Sequence, residues 1–190
     1  KNLILSVFTA IGDENQNLLF DITQQLLEVA LEQIKSKKLE YIKFASRILV
    51  LCASVDAGNT RRPVLSVLPI LQGIATDEAV NPKDRGNAGV AFVTICLSLN
   101  VTKHIQTNID LADAYVKSGD SHLIQTACII SSVMMKSPKP ELVIQLHESF
   151  QSIALYATDS KVLNPLLQSL KKMIKTGKIP EEKSRPLIDS

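Results

Sequence analysis

The residues that could do chemistry in this chain are few, and their spacing argues against a reaction centre. Three histidines, His104, His122 and His147, fall on or at the edges of three separate helical stretches and lack metal-ligand spacing. They read as ordinary surface or interface histidines. Cys52, Cys96 and Cys128 lie in separate apolar runs; an odd count without a CxxC pair argues against both a disulfide framework and a zinc site. They read as small buried hydrophobes in a reducing compartment. Thr176-Gly177-Lys178 lacks the upstream glycine of a phosphate-binding loop, and neither GxSxG nor HExxH occurs. Adjacent carboxylates, Asp13-Glu14, Asp77-Glu78 and Glu181-Glu182, sit where helix ends and turns would place them. The expectation is a protein without catalytic residues, metal or cofactor. Asn100-Val101-Thr102 fits a glycosylation sequon, which chance explains in an intracellular protein.

Basic residues carry more information. Lys35, Lys37, Lys38, Lys43 and Arg47 form one group, Arg61-Arg62 and Lys83-Arg85 lie near turns, and Lys171, Lys172, Lys175 and Lys178 close the last helix. Many of them sit at helix C-termini, where the dipole alone favours a cation. Acidic Asp77, Glu78, Asp84 and Asp120 dilute the field in the same turns, and the formal net charge is only +2.

The elements that must hold these groups are helical. Leu18, Leu19, Ile22, Leu26, Val29, Ala30 and Ile34 recur in steps that keep one face of residues 16–36 apolar, and residues 39–55 are apolar nearly all round. Asp56 to Thr60 reads as a turn, with Gly58 and Asn59 suited to left-handed backbone. A helix over 62–76 follows, kinked or split by Pro69. Further helices span 85–99, 101–117, 121–136 (capped by Ser121), 141–157 and 160–175 (capped by Asp159-Ser160 and stopped at Gly177). No stretch alternates convincingly enough for a strand, and none reaches the ~18 apolar residues of a membrane span. Hydrophobic residues make up 45% and aromatics 4%, without tryptophan, so aliphatic side chains must fill the core.

A period organises these helices. Lys43, Arg85, Gln125 and Pro165 head similar stretches, and the last three stand one period of ~40 residues apart. Val64-Leu65-Ser66-Val67-Leu68-Pro69-Ile70-Leu71, followed by Asp84-Arg85 and Ala88, resembles a HEAT first helix with its internal proline and a second helix opening on Arg and Ala. Through this periodicity and pairing the chain resembles the HEAT and armadillo-like families. Residues six upstream of the four markers are Lys37, Ala79, Gly119 and Asp159, so the Asp–Arg ladder of HEAT arrays is absent. Leu111 to Asp120 resembles one tetratricopeptide helix, but it occurs once. The tryptophan usual in tubulin-binding HEAT arrays is missing.

The resemblance implies an all-α fold: a right-handed α-solenoid of about four antiparallel helix pairs (16–55, 62–99, 101–136 and 141–175), preceded by a partial helix. Residues 1–177 form the repeat domain and 178–190 a linker or tail. Residues 1–12 read as a helix belonging to a longer protein. The function it implies is a non-enzymatic protein–protein interaction module in a larger scaffold or adaptor, within a cytoplasmic or nuclear complex. Candidate partner contacts on the second helices are Lys43, Arg47, Arg85, Asn87, Gln125, Gln168 and Lys172. The alternative is a nucleic-acid-binding array using the basic residues at the repeat turns.

Overall fold

The computed structural model describes residues 10, 15–135, 141–155 and 157–177, so the expected leading helix, the break at 137–140 and the tail fall largely or wholly outside it. The described residues are all-helical, with no strand among them. In chain order the helices are α1 (Gln16–Lys35), α2 (Ile42–Val55), α3 (Ala57–Leu65), α4 (Leu68–Thr76), α5 (Pro82–Ser98), α6 (Ile105–Lys117), α7 (Ser121–Met134), α8 (Glu141–Ala154) and α9 (Ser160–Lys175). Short 3-10 turns lead into α2 (Leu39–Tyr41) and α6 (Thr102–His104). The chain divides into two compact units, Lys1–Gly73 and Ile74–Ser190.

In the first unit α1 packs along α2, and α3 adds to both. Asn15 starts α1 by accepting the Leu18 N–H at 3.0 Å. Lys37, at φ 51°, turns the chain out of it. The interface buries Leu27, Ala30, Leu31 and Ile34 from α1 and Ile42, Ala45, Leu49 and Cys52 from α2. The leucines and isoleucines among them contribute about 1.5–3 kcal/mol each on leaving water. The expected turn at 56–60 is instead the start of α3. The Asp56 carboxylate accepts the Asn59 N–H at 3.2 Å, so Gly58 and Asn59 are helical rather than left-handed. The helix expected over 62–76, kinked or split by Pro69, is split ahead of that proline, at Ser66-Val67. Pro63 has no N–H for the Asn59 carbonyl, and α3 ends two residues later. Pro69 is the second residue of α4, where no intrahelical N–H is needed.

In the second unit α7 touches α5, α6 and α9, while α8 touches α6, α7 and α9. This packing is consistent with an α-solenoid. Gly119, at φ +73°, makes the reversal between α6 and α7 in a conformation that other residues resist. Asp120, rather than the expected Ser121, caps α7 by accepting the N–H groups of His122 and Leu123 at 2.9 and 3.0 Å. Asp159 caps α9 through the Lys161 N–H at 2.8 Å, and Gly177 ends it at φ +66°.

Hydrogen bonds join these helices across 30 to 41 residues of chain. Tyr115 donates from α6 toward the Ala75 carbonyl, 40 residues earlier. Gln125 reaches the Lys161 carbonyl, 36 residues on, and Ser149 of α8 bonds Asp113 of α6, also 36 apart. Ser169 of α9 donates to Cys128 O of α7, and Thr176 meets Met135 Sδ, each 41 residues back. Gly86 and Thr126, where α5 and α7 cross, are near enough that a Cβ on the glycine would lie 2.5 Å from the threonine hydroxyl.

Candidate interaction surface

The second unit positions five of the predicted contact residues on packed neighbours in the order α5, α7, α9. Between Gly86 and Leu97 helix α5 is buried except for Asn87, Val90, Thr94 and Leu97, which are half-exposed along one strip. Gln125 and the exposed Ile129 lie on the open strip of α7, and Gln125 Nε2 approaches the Lys161 carbonyl at 3.4 Å. Gln168 and Lys172, one helical turn apart, are exposed on α9 beside Lys161, Lys171 and Lys175, and that helix carries no acidic residue.

Arg85 does not share the Asn87 strip. Its guanidinium carbon lies 6.0 Å from the centre of the Tyr115 ring, and its Nε is buried without a hydrogen-bond partner among the described residues. The Tyr115 hydroxyl sits 2.9 Å from Ala75 O and 2.7 Å from Arg85 O, sharing its proton between them. Burial pushes the Tyr115 phenol above its ordinary range, against the lowering charge of Arg85. Arg85 is thus a half-buried part of the clasp that holds α6 to α5.

Lys43 and Arg47, in the first unit, are both exposed and one turn apart on α2. The uniformly apolar appearance of residues 39–55 suggests full enclosure, yet α2 keeps an open side. Phe44 is 63% and Tyr41 48% exposed, with Ile48, Leu51 and Val55 half-buried behind Phe44. This apolar stripe is the feature that sequence reasoning missed, although its spacing was there to be read.

Among the described residues no group of three or more His, Cys, Asp or Glu side chains could hold a metal ion. Cys52, Cys96 and Cys128 are buried free thiols, pushed up to about 11, about 12 and about 11 by desolvation. His104 stacks edge-on against Phe92 at 5.4 Å, and burial, then the charge of Lys103, lowers its pKa. His147, expected at a surface or interface, is fully buried on α8. Burial alone would raise Asp113, but hydrogen bonds from Lys117 (2.7 Å) and Ser149, with the Lys117 charge, hold its carboxyl below the usual range. No helix among the described residues is long and apolar enough to cross a membrane.

No protein-family model, no curated protein and no solved structure matches this chain. The surface and its chemistry are the basis for function.

Proposed function

We propose that this chain is a non-enzymatic protein-interaction module: a right-handed, HEAT/armadillo-like α-solenoid of about four helix pairs, forming part of a larger scaffold or adaptor. The observation that carries the reading is the repeated reach of its inter-helix bonds. Five bonds of the second unit span 36 to 41 residues, near the ~40-residue period of two-helix repeats, while that from Tyr115 to Arg85 spans 30. Such units bury their apolar faces against sequence neighbours and leave extended open strips for a partner. Asn87, Gln125, Gln168 and Lys172 lie on those strips, and Lys43 and Arg47 on the open side of α2.

A second reading, nucleic-acid binding, draws on the four exposed lysines of α9 and the absence of acids there. Salt separates the two, because phosphate contacts release counterions and weaken steeply as salt rises.

The test is affinity capture with the full chain, repeated after nuclease treatment and at two salt concentrations. A specific protein retained under both treatments, and lost on alanine substitution of Gln125, Gln168 and Lys172 or of Lys43 and Arg47, supports the module. Binding that vanishes with nuclease replaces it with the nucleic-acid reading.

A further inference from the structure

Helix α2 has two apolar sides, one buried and the other half-open. Ile42, Ala45, Ser46, Leu49, Cys52 and Ala53 are buried on the first. On the second, Phe44, Ile48, Leu51 and Val55 follow one another in steps of four, three and four, which keeps them on one line. That line is about 16 Å long at the helical rise. Phe44, at 63%, is the most exposed large hydrophobic residue described. Single exposed apolar residues need no explanation, but an exposed phenylalanine in line with three half-buried aliphatic residues on one helix does.

The border of this stripe decides what fits it. Lys43 and Arg47 run along one margin, and Lys35, Lys37 and Lys38 precede the helix, all exposed. Between residues 33 and 55 Glu40 is the only acidic residue. Neither Lys43 nor Arg47 has an ion-pair partner among the described residues; the single bridge there joins Asp113 and Lys117. Resting on the reading of the chain as a protein-interaction module, we infer that this side of α2 docks an acidic amphipathic helix of a partner protein. Its aliphatic face lies along Phe44, Ile48, Leu51 and Val55, and its Asp or Glu residues meet Lys43 and Arg47. The arginine fork suits bidentate carboxylate recognition, and the aliphatic anchors are spaced as one helix laid on another requires. Phosphate groups of a nucleic acid would use the cations but leave Ile48, Leu51 and Val55 without a role.

The test measures fluorescence anisotropy of the full chain with three labelled helical peptides about five turns long. The peptides share one leucine stripe and carry Glu, Lys or Ser along its margins. The Glu peptide should bind at least about tenfold more tightly than the Lys peptide, as charge complementarity demands. Combining Lys43→Glu with Arg47→Glu should reverse that preference, and Phe44→Glu should weaken every peptide by about tenfold or more. Phe44 is exposed enough for its variant to keep the parent's circular dichroism, and the milder Phe44→Ala repeats the measurement. Equal binding of the three peptides, or no effect at Phe44, overturns the inference. So does Phe44-dependent binding only to phosphatidylcholine–phosphatidylserine vesicles or to an oligonucleotide, or Phe44-dependent self-association in sedimentation. A photo-cross-linker at position 44, compared with one at Ile129, separates this inference from the broader function. A lysate protein joined through 129 and never through 44 removes the α2 site and leaves the module standing. Failure at both positions, together with silent peptides, removes both.

Discussion

The ring of Tyr115 lies against the bare backbone of Gly89, where an added Cβ would stand 2.7 Å from the phenol oxygen and 3.0 Å from Cε2. With Arg85 one turn earlier on α5, the glycine makes a seat for the hydroxyl that joins the carbonyls of Ala75 and Arg85. Gly89→Ala should therefore destabilise the protein by about 1–3 kcal/mol, as overpacking does, despite the better helix propensity of alanine. Tyr115→Phe alone should cost about 1 kcal/mol for the lost hydrogen bond. Because both changes act on the same oxygen, the double variant should lose less than the two single losses together. Chemical denaturation of the four proteins measures that coupling, and strict additivity would mean that the seat is not shared.

Asp113 should make α6 and α8 sensitive to acid. Its carboxyl is held below the usual range, so its contribution is present above the unfolded value of 3.8 and fades as pH falls through the lower folded one. His104 acts earlier in the same direction: its depressed pKa favours the folded state above 6.5 and ceases to do so as the imidazole protonates below it. Asp113→Asn should flatten the acid limb of a melting-temperature profile below pH 4, while His104→Phe flattens the part just below pH 6.5. Ser149→Ala should cost about 1 kcal/mol near neutrality and steepen nothing.

The thiols predict the alkaline limb. Folded Cys52, Cys96 and Cys128 ionise near 11, 12 and 11 instead of 9.0, so the unfolded chain gives up protons first. Stability should fall as pH rises from 9 toward 11, because the advantage of the raised groups is complete only below their unfolded value. A thiol reagent at pH 8 should leave the native protein unmodified over minutes and react with all three cysteines in denaturant. Rapid labelling of any one under native conditions would contradict its burial.

Asn108 is fully buried on α6, and neither its amide oxygen nor its nitrogen has a hydrogen-bond partner among the described residues. Desolvation without compensation is unfavourable, and leucine has the same branching without the polar atoms. Asn108→Leu should raise stability by about 1 kcal/mol, or 2–4 °C in melting temperature for a chain of this size. A fall of similar size would reveal that the amide is needed where it stands.

The helices themselves were legible because apolar spacing and end signals agreed. Residues 16–36, 39–55 and 160–175 match α1, α2 with its 3-10 entry, and α9 to within a residue at each end. The misreadings came where one residue type serves two purposes. Asp56, Gly58 and Asn59 form a turn in composition, yet an aspartate ahead of a glycine also caps a helix, and the cap prevailed. Pro69 did mark a break, but from the first turn of the following helix rather than from inside one. Charge alone marks Arg85 as a surface contact, while the ring that takes it, Tyr115, lies 30 residues away and cannot be paired with it from spacing alone. Phe44 went unnoticed for the opposite reason. Sequence shows that α2 is apolar on two sides, but only the packed arrangement shows which side was left open.

The bonds made by Tyr115, Gln125, Ser149, Ser169 and Thr176 have a consequence for synthesis. Each closes over 30 to 41 residues, so every contact becomes possible soon after its later member has left the ribosome. Growth at about 5–20 residues per second sets the two members of each bond about 2–8 s apart. The second unit can then assemble in the order in which it is made, each helix arriving at a neighbour already waiting for it.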